Sequence, residues 1–312
     1  MAYKKKYSPE EKAVYKEQKQ SEIDEMLKRI DEGVKAVFNS DQYKEYLKFA
    51  SNFTNYSPHN TMLISLQRPS ATLVASYGKW RKVGRQVMKG EKGIAIFAPI
   101  IYDSDKCPKV KKGTDDEDTE KTKIAEEQFK RIAFKKVYVY DISQTDGKDI
   151  PCFESSELTG DIDFKKKNAI FKALERITGI RIEFSDIRGG AKGYYDTAEN
   201  RIVIQSGMSD SQTLKTAFHE TAHKLLHDPK LKMVTVKSPR NEKEVQAESV
   251  AFMVAERLGF DTSEYSFPYI ASWSNGKPLE QLKCALKEIQ AAAKQITGAI
   301  ETELAKIQGT VA

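Results

Sequence analysis

Apolar residues recur along this chain with two different periods, and the switches between them predict its elements. Ser8, Pro9 and Glu11 supply a cap, an N1 proline and an N3 glutamate, opening a helical pattern that ends near Gly33. A second helix follows Ser40 and carries Tyr43, Tyr46, Leu47 and Phe49. A third starts at Ser57-Pro58, includes Met62, Leu63, Ile64 and Leu66, and stops before Pro69. Residues 76–83 read as a short helix stopped by Gly84. Residues 85–87 and 94–101 then read as strands around the tight turn 89–93. Strand character resumes at 131–134 and 137–140, and a helix is expected over 164–178. Next come a strand at 193–196, a turn, and a β-branched strand at 200–205. Ser209, Asp210 and Ser211 offer caps to a helix with Leu214, Ala217, Phe218, Ala222, Leu225 and Leu226 on its apolar side, closed by Asp228-Pro229. Val245, Ala247, Val250, Ala251 and Val254 mark another amphipathic helix, and a final one runs from Leu279 to about Ala305. Trp273 is expected to anchor the segment between them.

At 312 residues the chain is long enough for about two domains, and the mixture of elements predicts an α+β fold. Residues 1–150 form the expected first domain and 164–312 the second, joined by a linker at 151–163. Residues 103–130 are charged and poor in large apolar side chains, which reads as a solvated insertion. Charged residues make up 31% of the chain, and no apolar run approaches the ~20 residues of a membrane span. The basic start, Met1 to Lys6, leads into a polar segment rather than the apolar core of a signal peptide. Cys107, Cys152 and Cys284 are scattered without disulfide or zinc spacing. These features predict a cytoplasmic protein with no membrane association.

Three of the four histidines lie within nine residues, and His219, Glu220 and His223 spell H-E-x-x-H. On a helix this spacing stacks two imidazoles one turn apart with a carboxylate beside them, an arrangement suited to Zn²⁺ or another divalent metal. Glu220 is then the candidate general base. His227 lies about 12 Å along the axis from His219, too far for the same ion. Glu244 and Glu248 are four apart on the next helix and share a face. Two like charges there repel, and a cation between the helices reverses that cost. Two histidines and one glutamate, with a fourth position open, is the gluzincin layout. Glu244 is read as the third ligand and Glu248 as the partner that orients a histidine; the spacing alone allows the two to exchange roles.

A second signal lies between Arg68 and Gly93, where seven basic residues (Arg68, Lys79, Arg81, Lys82, Arg85, Lys89 and Lys92) face one acid, Glu91. The local charge equals the +6 of the whole chain. Trp80 and neighbouring tyrosines interleave with these cations. Cations track a phosphate backbone and aromatic faces stack on bases, so the stretch suits single-stranded nucleic acid. A solvated basic face over aromatic core residues fits the composition equally well.

The Glu-x-x-Ala-Glu arrangement after H-E-x-x-H, preceded by Gly193-Tyr194-Tyr195-Asp196 and Asn200-Arg201-Ile202-Val203-Ile204-Gln205, resembles the zincin domain of ArdC-type antirestriction proteins and, more distantly, the ImmA/IrrE metallopeptidases. Asn55 to Asn60, Gln67-Arg68-Pro69, residues 80–87 and 89–93, and Asp141-Ile142-Ser143-Gln144-Thr145 resemble the ArdC amino-terminal domain. The blocks extend over about 50–260. The resemblance implies a single-stranded DNA-binding domain followed by a gluzincin-like metallopeptidase domain, serving antirestriction for a mobile, conjugative element. It also leaves room for a protein that shields DNA without proteolysis, and for a protease that cleaves a cytoplasmic regulator. Tyr194 or Tyr195 is placed to serve an oxyanion or, as we prefer, to pack in the core.

Overall fold

The computed structural model describes residues 8–38, 42–100, 133–149, 162–230, 239–263, 265, 267 and 270–307. The expected insertion and nearly all of the expected linker lie outside these residues.

Helix α1 (Pro9–Val37) begins as its sequence directs. Ser8 Oγ accepts from the Glu11 N–H at 3.1 Å, and Glu11 returns the bond to the Ser8 N–H at 2.7 Å. The helix does not stop at Gly33. There it passes against α3 (Pro58–Gln67), where a Cβ would lie 2.8 Å from Met62 Sδ, so glycine permits the crossing rather than ending the helix. Between them lies α2 (Gln42–Ser51).

The strands pair differently from the local expectation. β2 (Arg85–Val87) and β3 (Ile94–Ile100) do not form a hairpin with each other. β3 pairs antiparallel with β4 (Ala133–Asp141), which also takes β1 (Val74–Ala75), while β2 pairs with β5 (Thr145–Gly147). The outer edge of β3 is met by side-chain amides of α3. Asn60 exchanges two bonds with the Phe97 backbone, each 2.9 Å, and Gln67 does the same with Ala95 at 2.8 and 2.9 Å. The amides act as surrogate strand partners and blunt an edge. After β1 comes α4 (Tyr77–Lys82), N-capped by Ser76.

The second half opens with α5 (Phe164–Thr178) and a sheet ordered β6-β8-β7, from Ile182–Ser185, Arg201–Gln205 and Gly193–Asp196. β6 runs parallel to β8 and β7 antiparallel, leaving β7 at the edge. Helices α6 (Asp210–His227), α7 (Arg240–Leu258), α8 (Ile270–Ser274) and α9 (Leu279–Ile307) follow. The two halves share one continuous apolar core. Tyr43 of α2 bonds Ser249 of α7 at 2.7 Å, and buried Gln290 of α9 donates to the carbonyls of Phe53 and Tyr56. Trp273 packs its ring on Phe38, centroids 5.3 Å apart.

Candidate metal centre

Helix α6 starts at Ser209, whose Oγ accepts from the Gln212 N–H, and buries Leu214, Ala217, Phe218, Ala222 and Leu226. That burial fixes its rotation, so His219 and His223 emerge together toward α7. Helix α7 packs on α6 with Glu244 and Glu248 directed at them. The two Nε2 atoms lie 3.0 Å apart, and Glu244 Oε2 lies 3.4 Å from His219 Nε2 and 3.6 Å from His223 Nε2. Tetrahedral bonds of about 2.0–2.1 Å place neighbouring donors about 3.3–3.4 Å apart. The triangle lies close to that spacing and suits a cation. Among the described residues this trio forms the group able to hold a metal ion.

Glu248 has a separate place. Its Oε2 lies 3.0 Å from His219 Nδ1, the ring nitrogen facing away from the triangle. Donation from Nδ1–H leaves Nε2 with its lone pair toward the centre. Without a cation, burial lowers the His219 pKa, but hydrogen bonds that its ring donates to Glu244 and Glu248 outweigh it and push it up to about 10. The same histidines hold the Glu244 carboxyl far below its ordinary range. The cluster is a locus of negative potential that takes up positive charge.

Glu220 is only 7% exposed, and burial raises its pKa. Its carboxylate accepts from the backbone N–H of Tyr195 on β7. Gly193 allows that approach, because a Cβ there would meet Thr216 Cγ2 at 2.6 Å and Glu220 Cγ at 3.3 Å. Behind the strand, Lys224 Nζ bonds Asp228 at 2.5 Å, Asn200 Oδ1 at 2.6 Å and the Tyr195 hydroxyl at 3.2 Å. Asn200 turns the chain with φ of 54°. This buried lysine cluster pins β7 to α6. The i,i+4 spacing of Lys224 and Asp228 was its one signal in the sequence.

A cleft of about 460 Å³ opens onto the site, lined by His219, Glu220, Glu248, Gly193, Lys192 and Tyr265 among others. Tyr194 is exposed on the edge strand and is not the core residue expected, whereas Tyr195 packs half-buried against the core with its hydroxyl held by Lys224. His227 stands outside the trio, its Nε2 3.2 Å from the Lys243 carbonyl.

The basic stretch is less uniform than its composition. Trp80 is 2% exposed, with Nε1 donating to the Tyr140 carbonyl at 2.8 Å. Its indole is core and offers no stacking face, which corrects its place among the nucleic-acid candidates. Arg85 binds Thr145 Oγ1 and the carbonyls of Thr145 and Lys148, bracing β5. Arg68 donates to Ser143 Oγ at 3.0 Å. Lys79, Arg81, Lys82, Lys89 and Lys92 are exposed. The Asp141–Thr145 block is architectural too: Asp141 accepts from the Thr72 and Leu73 N–H groups, and Gln144 holds Glu91 and the Lys92 carbonyl.

Residues 15–140 match the family model described as the N-terminal domain of anti-restriction factor ArdC. This stretch is similar to the ArdC amino-terminal domain. The match begins inside α1, earlier than the blocks legible in the sequence. An uncharacterized protein of Bacillus anthracis aligns over 335 positions at 28% identity, covering 98% of this ArdC-like chain and 55% of that protein. The chain thus spans about half the length of the curated relative it matches. Two crystal structures of the antirestriction protein ArdC from plasmid R388 were also found. The metal-free one gives a TM-score of 0.46 at 22% identity, covering 82% of this chain and 87% of its own. The Mn(II)-bound one gives 0.47 at 21%, covering 82% and 88%. No helix among the described residues is long and apolar enough to cross a membrane.

Proposed function

We propose that the second half is a divalent-metal peptidase of gluzincin type, coupled to a first half that binds single-stranded DNA in an antirestriction role. The observation that carries the hydrolase reading is the buried carboxylate of Glu220. It lines the cleft beside three donors at tetrahedral spacing yet is not one of them. A purely structural ion needs no such group. Zinc, or another divalent ion, held by His219, His223 and Glu244 would polarise a carbonyl and acidify water there. Glu220 takes the proton of the attacking water and returns it to the leaving amine. Glu248 fixes the His219 ring, and the edge strand β7 lies open to an extended peptide.

For DNA, the exposed cations of α4 and of the 89–93 turn supply phosphate contacts. The exposed rings of Tyr77, Phe134 and Tyr138 take the stacking role that Trp80 cannot. The deciding experiment measures bound metal and casein or proteome cleavage for wild type beside Glu220→Gln. We expect retained metal and lost cleavage, because the amide is nearly isosteric but accepts no proton. Undiminished cleavage would remove Glu220 from the mechanism, and antirestriction that survives the change would favour a shielding protein.

A further inference from the structure

The metal cleft carries charge that neither the ligand set nor the hydrolytic step uses. Its acids are committed, since Glu220 is the candidate base and Glu248 holds His219 Nδ1. Its two lysines, Lys192 and Lys215, belong to neither role and stand on opposite walls. Lys215 lies on α6 four residues before His219, on the same face and about 6 Å back along the axis. Its Nζ stands 5.4 Å from the centre of the Tyr265 ring. Asp261, whose carboxyl is held below its ordinary range first by hydrogen bonds from Ser263, also feels the Lys215 charge and answers part of it.

Lys192 enters from the strand side. It immediately precedes β7, and its carbonyl accepts from the Gln205 N–H at 2.9 Å, so the sheet fixes its backbone. Its exposed side chain crosses to α6, where Nζ donates to Gln212 Oε1 at 3.1 Å. That partner is a neutral amide, which orients the ammonium without cancelling its charge. The cleft also continues past this point. Gly190, Lys192 and Gln212 are shared with a second hollow of about 470 Å³, whose far wall includes Ile187, Ala191 and Met208. Lys192 therefore stands at a junction between the metal side and a partly apolar recess.

We propose that this cleft selects peptides with an aspartate or glutamate about two residues from the bond to be cleaved, Lys192 being the main recognition residue and Lys215 its support. The assignment rests on the peptidase reading above. An extended peptide advances about 3.3 Å per residue, so the 6 Å between Lys215 and His219 corresponds to about two positions from the metal. A carboxylate there meets ammonium groups from both walls, and the protein flanking the cleft strengthens that attraction beyond an open-surface pair. The flexible lysine stem lets Nζ turn from Gln212 to the incoming carboxylate. The recess beyond Lys192 leaves room for the chain to continue, which favours an acidic side chain over a terminal carboxylate.

The test uses full-length protein loaded with zinc and peptide hydroxamates with all other termini blocked, in two series that place the peptide on either side of the metal. Members differ only in a Glu, Gln or Lys two residues from the hydroxamate. In one series the Glu form should bind wild type about tenfold tighter than the Gln form in calorimetry, and the Lys form should bind weakest. Lys192→Met should erase most of the difference between Glu and Gln. Lys192→Glu should invert the order of Glu and Lys, a reversal that a merely structural lysine cannot produce. Should the charge-reversed variant fail to fold, the Glu-over-Gln ratio in Lys192→Met decides alone. Cuts made by wild type in a proteome digest should carry Asp or Glu about two positions away. Equal binding of the three forms in both series, or none, overturns the assignment, as does an order that survives both variants. If oligothymidylate displaces the Glu form from wild type but not from Lys192→Glu, the lysine serves phosphate and the assignment falls. A Glu preference without any cleavage keeps the recognition and removes the peptidase reading; cleavage without a preference does the reverse.

Discussion

The H-E-x-x-H helix and the basic stretch of residues 68–93 were the two chemically suggestive regions of the sequence, and the fold treats them oppositely. In the first, residue spacing carries straight into geometry: histidines four apart on α6 and glutamates four apart on α7 converge on one point. In the second, composition hides a division of labour. Trp80, Arg85 and Arg68 brace the amino-terminal sheets, while Lys79, Arg81 and Lys82 face solvent. Helical periodicity is a statement about direction; richness in cations and rings is not.

The sharpest way to break this contrast is to remove a ligand. His223→Ala should weaken zinc binding by well over 100-fold in a chelator competition, since it removes one of three protein donors. Glu248→Ala should cost about 10–100-fold by freeing the His219 ring, and His227→Ala should cost little. Comparable losses at His227 and His223 would dissolve the trio.

In the basic stretch, Trp80→Ala should destabilise the protein by about 3–5 kcal/mol in urea unfolding, the cost of emptying a core site. An unchanged midpoint would return Trp80 to the surface and to nucleic-acid stacking.

Between the two regions in size of effect stands Lys224→Met, which leaves Asp228 buried without its cation at a cost of about 3 kcal/mol. The pH dependence has a definite sign. Although burial raises it, Lys224 holds the Asp228 pKa below its ordinary value. Its stabilisation is therefore present above about pH 4, the unfolded carboxyl range, and fades as pH falls through the lower folded value. The gap between wild type and Lys224→Met should narrow in acid. A gap that is constant from pH 7 to pH 3 would mean the pair does not act through charge.

The smallest effect on the fold should come from reversing Lys79, Arg81 and Lys82 to glutamate. Stability should stay within about 0.5 kcal/mol, while single-stranded DNA binding weakens for all sequences alike. The log–log salt slope should also shrink by about 0.7 for each phosphate that the variant no longer neutralises. Salt-independent binding by wild type would leave this face without a nucleic-acid role.

Much of the candidate site was legible because its parts are local. Caps at Ser8, Ser57, Ser76 and Ser209 start helices where their side chains accept backbone N–H groups. What escaped was non-local. Gly33 reads as a stop but serves as a crossing point, since only Met62 of another helix reveals the close approach. β2 and β3 read as one hairpin, yet their partners come from beyond residue 130.

The sequence by itself determined the helices and the one-turn spacing of the histidine pair and of the glutamate pair, because an i,i+4 relation is a property of the backbone alone. Only the tertiary structure decided which glutamate faces the histidine Nε2 atoms and which takes Nδ1, which rings are buried, and which strand lies at the open edge. Those outcomes depend on how α6 and α7 rotate against each other, and that rotation is set by a core whose contributors are drawn from both halves of the chain.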